Sequence, residues 1–86
     1  MREDVQMGQE LEAKLRDIFV AELGIESAEI SPGLQYGAVP EWDSVAHMHL
    51  VAALEEAFDI SLSDDDISRM TSFSEIEDLL SDRLVA

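Results

Sequence analysis

Apolar residues recur at steps of three and four from Gln9 to Leu23, at Leu11, Leu15, Ile18, Phe19 and Leu23. That spacing predicts a helix with one buried face. Gly24 follows directly and predicts its end. The pattern then breaks, with Pro32, Gly33, Gly37 and Pro40 spread through Ile25 to Glu41, which no regular helix tolerates. The segment still carries Ile25, Ile30, Leu34, Tyr36 and Val39. The expectation is a long ordered loop packed on the core, with room for one helical turn.

Helical periodicity returns from Ser44 to Phe58. His47, Leu50, Val51, Leu54 and Phe58 share a face assigned to the core, and Val45, Met48 and Ala52 form a flanking stripe. Ser63 with Asp66 three residues on predicts a capped short helix running to Met70, its first turn enriched in Asp64, Asp65 and Asp66. Ser72 with Glu75 repeats the arrangement. It opens a last helix whose buried face is Phe73, Ile76, Leu79, Leu80 and Leu84. Strand alternation is missing throughout. The fold class is all-α, a four-helix bundle of three longer helices and one short one, with the long loop between the first two. Residues 1–8 read as an N-terminal extension ahead of a single domain, 9–86.

Composition narrows the function classes. Eighty-six residues allow one core only. With no cysteine, disulfides and thiolate metal sites are excluded. Neither a signal-peptide h-region nor a membrane-spanning apolar run is visible, so the expected location is the cytoplasm. Twenty acidic residues against five basic ones leave a formal net charge of −15. Nucleic acid and anionic membranes are poor partners for such a surface, and proteins with basic patches are good ones. A monomer is the expected state.

Candidate chemistry concentrates at Trp42-Asp43-Ser44-Val45. Asp43 is a good N-cap, which makes Ser44 the first residue inside the second helix. There the hydroxyl projects into solvent, near unpaired backbone N–H groups and the positive end of the helix dipole. That setting suits a phosphate ester on the serine, not a nucleophilic serine.

With Asp43-Ser44-Val45, Leu54-Glu55-Glu56-Ala57-Phe58-Asp59-Ile60 and Thr71-Ser72-Phe73 in view, the chain resembles the acyl carrier protein family from roughly Leu11 to Leu80. The family motif is Asp-Ser-Leu, and Val45 keeps its third position apolar. The resemblance implies that 9–86 is a carrier domain and that Ser44 bears 4′-phosphopantetheine, transferred from coenzyme A by a phosphopantetheinyl transferase. Asp43 would then lie where the transferase and its metal ion act. The arm's thiol would hold acyl or aminoacyl cargo as a thioester, supplied by a loading ligase and passed to downstream transferases. The resemblance also has departures. Fatty-acid carriers bear acid along the first two turns after the serine, where this chain has Ala46, His47, Met48 and His49, with acid returning at Glu55 and Glu56. Glu41-Trp42 stands where the fatty-acid type has small residues. Both resemble free-standing carriers of specialised pathways.

Other candidates have competing readings. Val45, Met48 and Ala52 form either core or a contact patch for partners and cargo, and methionine suits the latter. Trp42 is either a core anchor or a recognition residue. His47 and His49 point about 200° apart on a helix and do not grip one ion; the first falls on the buried stripe and the second is available for docking. Glu55 supplies charge to a docking face. The Asp64–Asp66 cluster lacks the glycine and spacing of a calcium loop. No nucleophile elbow, phosphate-cradling loop or cysteine nucleophile is present, so an enzyme is not expected. The rival reading is an unmodified acidic helical adaptor that binds a protein partner through its apolar stripes.

Overall fold

The computed structural model describes residues 2–85, with side chains from 9 to 84. Four helices, α1 (Arg2–Leu23), α2 (Ser44–Phe58), α3 (Asp64–Arg69) and α4 (Phe73–Val85), form the bundle, with one 3₁₀ turn, Ser27–Glu29, inside the first loop. Helix α1 packs on α2 and α4, and α3 rests on α4. The backbone of α1 is helical from Arg2, upstream of the apolar periodicity that begins at Leu11. The segment from Arg2 to Gly8 lacks the apolar spacing that marks a helix in a sequence.

The helix ends obey local chemistry. Gly24 takes φ +70° while its N–H bonds to the Val20 carbonyl at 3.0 Å, which stops α1. Ser63 and Asp66 form a full capping box at α3. Ser72 Oγ accepts from the Glu75 N–H at 3.1 Å and opens α4.

The core runs through all four helices and the loop. Leu15 and Phe19 from α1, Leu50 and Leu54 from α2, and Ile76 and Leu80 from α4 are fully buried, as is Trp42 from the loop. Each such side chain contributes about 2 kcal/mol of transfer free energy. Leu11, Ile18, Phe58 and Leu84, expected on buried faces, lie at the edge of the core.

Ile25, Ile30 and Leu34 are buried, so the loop is ordered as expected. It is also sewn to the α3–α4 junction by backbone bonds. Tyr36 N–H donates to the Thr71 carbonyl at 2.9 Å, Phe73 N–H to Leu34 at 2.8 Å and Ser74 N–H to Pro32 at 3.2 Å. These bonds satisfy the Tyr36 amide, the Leu34 and Pro32 carbonyls of the loop and the first two N–H groups of α4, which have no partner within their own helix. Tyr36 itself departs from the expectation of packing with the loop's apolar residues, because 46% of its surface is exposed. The loop thereby delivers the chain to Ser44 along a fixed path.

Candidate functional site

Trp42 is the fixed point below the site. Its ring has no exposed surface and meets Phe19 edge-on at 5.1 Å between centroids. The main chain is held as well, with Trp42 N–H on the Val39 carbonyl and Gly37 N–H on the Trp42 carbonyl, both at 3.1 Å. Of its two readings, the core anchor is what the structure contains, and a ring without accessible surface cannot touch a partner directly.

Asp43 then turns the chain outward. Its backbone is extended, φ −103° and ψ −172°, and its Oδ1 accepts from the Ala46 N–H at 2.9 Å. That is the N-cap geometry, and it makes Ser44 the first residue of α2. Ser44 is exposed. Its neighbours on the outer face are apolar yet solvated: Val45 is 63% exposed and Met48 55%, and Ala52 continues the exposed stripe one turn on. Large apolar side chains left open beside one another mark contact surfaces. His49 is exposed too, whereas Glu56, not Glu55, is the exposed acid at the far end of the helix. Glu55 is half-buried, and its Oε2 accepts from the Leu62 N–H at 2.9 Å, which fastens the α2–α3 turn.

His47 has a role that periodicity alone does not reveal. Its Nδ1 accepts from the Trp42 indole N–H at 3.0 Å, and its ring lies 27° from parallel to the indole. Tyr36 lies against both rings, at 5.2 Å from His47 and 6.1 Å from Trp42. Burial pushes the imidazole below its ordinary pKa, and the Ile67 backbone pulls the other way. A lone tyrosine among loop glycines and an aromatic five residues before a histidine were the only sequence signals of this cluster. Among the described residues, no three His, Asp or Glu side chains gather into a metal cage. No helix among them is long and apolar enough to cross a membrane.

This arrangement presents an exposed hydroxyl at a capped helix start, and three similarities bear on it. Residues 13–80 match the family described as the phosphopantetheine attachment site. The chain is 30% identical over 77 residues to an acyl carrier protein of Picosynechococcus sp., covering 90% of this chain and 95% of that one. It also resembles the solution structure of a holo acyl carrier protein from Nitrosomonas europaea. There the TM-score is 0.74 at 30% identity, over 91% of this chain and 99% of that one. The site suits the prosthetic group of such proteins, because an exposed serine hydroxyl at a capped helix start leaves open space for a long phosphodiester-linked arm. The chain belongs to the acyl carrier protein family, a carrier with 4′-phosphopantetheine as its prosthetic group and not itself an enzyme.

Proposed function

We propose that Ser44 is the attachment residue, with its Oγ esterified to the arm by a phosphopantetheinyl transferase, and that Asp43 contacts that enzyme and its metal ion. The observation that carries this reading is the exposed Ser44 hydroxyl at the first position of α2, directly after an anchored cap. When bound, the group supplies a thiol that holds acyl or aminoacyl cargo as a thioester. The chain's own residues do the rest. Asp43 fixes the helix start, the helix N-terminus favours the phosphate, and the acidic surface draws partners with basic patches.

Docking of the transferase, a loading ligase and downstream transferases is assigned to Val45, Met48, His49 and Ala52, while Glu55, half-buried and committed to the Leu62 N–H, leaves the exposed charge near the end of α2 to Glu56. Trp42 lies buried beneath this surface and is not part of it. The first turn of α2 holds no acidic residue. Partners that recognise acid at that position find apolar and imidazole groups instead, which supports a specialised pathway over primary fatty-acid synthesis.

Intact-protein mass spectrometry after incubation with coenzyme A and a broad-specificity transferase tests the attachment site. The expected result is a gain of one phosphopantetheine in the wild type and none in Ser44→Ala. A wild type that stays at its starting mass, or a Ser44→Ala chain that gains the same mass, overturns the assignment. The pathway reading is tested by expression in a strain lacking its fatty-acid carrier. No rescue is expected, and robust growth would sink it.

A further inference from the structure

Three hydrogen bonds close the short segment that contains Ser44. Asp43 Oδ1 accepts from the Ala46 N–H at 2.9 Å, and the Asp43 carbonyl accepts from the His47 N–H at 2.8 Å. These two are the ordinary bonds of a capped helix start. The third joins side chain to side chain, from the Trp42 indole N–H to His47 Nδ1 at 3.0 Å. It ties the residue two before the serine to the residue three after it.

The two ends of this tie differ in burial. Trp42 is locked by its burial, by Phe19 and by backbone bonds on both sides. His47 sits one helical turn below Ser44 and is half-buried. An indole nitrogen only donates, so Nδ1 carries no proton and the neutral imidazole keeps its hydrogen on Nε2. The tie therefore exists in one tautomer and one ring orientation.

We propose that His47 is a positioning residue for the modification of Ser44: its Nδ1 ties the first turn of α2 to the buried Trp42 indole and so fixes the direction in which Ser44 presents its hydroxyl to the transferase. The proposal rests on the reading of Ser44 as the attachment site. Without the tie, the junction between extended Asp43 and the helix is free to rotate slightly while cap, helix and core persist. Displacing a reacting atom by about 1 Å lowers rates on the order of a hundredfold. A serine that is loosened instead of displaced still visits the aligned position, and the expected loss is about tenfold. The loss falls on kcat, because the exposed docking face of Val45 and Met48 is unaltered and binding is retained.

The test measures initial rates of arm transfer from coenzyme A to the full-length chain at varied chain concentration, read by intact mass. His47→Leu lowers kcat about tenfold at unchanged KM. His47→Asn restores most of the rate, since its side-chain carbonyl can accept the indole N–H close to where Nδ1 stood. Trp42→Phe keeps an aromatic ring but lacks the donor, and it matches His47→Leu. Wild-type kcat in His47→Leu, a loss confined to KM, or His47→Asn as slow as His47→Leu overturns the proposal. Should His47→Leu fail to fold by circular dichroism, His47→Asn is compared with Trp42→Phe, and equal kcat values overturn it. A wild-type chain that gains no mass overturns the underlying reading of Ser44. That result is distinct from one in which the wild type is loaded and the variants keep pace with it.

Discussion

At Asp43, one carboxylate oxygen is held by the Ala46 N–H while the group as a whole remains exposed beside Ser44. Cap and charge are separable by substitution. Asp43→Ala removes the cap and costs about 1 kcal/mol, a fall in Tm of about 4–8 °C for a chain of this size. Asp43→Asn keeps an oxygen for Ala46 and holds the wild-type Tm, but it lacks the charge that the transferase and its metal ion would use. Thermal melts paired with loading rates check both: a slow Asp43→Asn at full stability is expected, and equal loading would leave Asp43 a cap only. The exposure of Ser44 and His49 was legible in the sequence, whereas Val45, Met48 and Ala52 read either as core or as a contact patch, and the structure leaves them exposed. The bonds from Trp42 to His47 and from Glu55 to the Leu62 N–H were not legible. Both depend on how a loop folds back against α2, and no periodicity encodes a side-chain partner across a turn.

Among the elements, α2 ends on a residue whose conformation opposes its side chain. Asp59 adopts φ 56° and ψ 52°, and its N–H bonds to the Glu55 carbonyl. A left-handed backbone disfavours any residue with a Cβ, and a carboxylate at the negative end of a helix adds an unfavourable charge. Asp59→Gly removes both and raises stability by about 1 kcal/mol, measurable as a higher Tm with loading unchanged. Helix ends were the most readable part of the fold. Gly24, Asp43, Ser63 and Ser72 each declared a boundary through chemistry that acts within four residues. The start of α1 at Arg2 was not readable, because the signal sought was a buried stripe. Helix α3 depends on more than its cap. Asp66 serves the capping box and also pairs with Arg83 from α4, whose guanidinium further donates to the Ser61 carbonyl at 2.9 Å. The sequence announced the box but not the arginine, which arrives from 17 positions away.

The whole molecule carries its charge as mutual repulsion, and three groups set how stability answers pH. Glu77 is raised above its ordinary carboxylate range by burial, then by Glu12 and Asp78, with Arg16 pulling it back. Its folded form binds a proton more readily than the unfolded chain, so acidification toward that range stabilises the fold. Asp66 is lowered by the Ser63 backbone first and by Arg83 among the smaller causes, so its contribution is present above 3.8 and is lost only below it. His47 is lowered, and its contribution is full above 6.5 and declines as pH falls through that value toward the folded pKa. Millimolar magnesium at neutral pH raises Tm by screening repulsion. Acidification from pH 7.5 to 5 raises Tm more in His47→Asn than in the wild type, since only the wild type must protonate the half-buried imidazole of His47. Parallel thermal scans check this, and identical slopes would remove His47 from the pH response.

The few cations deserve the same view from outside. Lys14 donates to the Ala57 carbonyl and lies over the Phe58 ring, Arg16 bonds Glu12 and the Ser27 and Ile30 carbonyls, and Arg83 holds Asp66. Three of the five basic residues are thus internal fasteners. Among the described residues, what an approaching copy of the chain meets is a surface rich in acid, with an apolar window at Val45, Met48 and Ala52 beside the serine. The expected behaviour of such a molecule is self-avoidance, with crowded copies repelling one another and the window left open to a partner with basic patches.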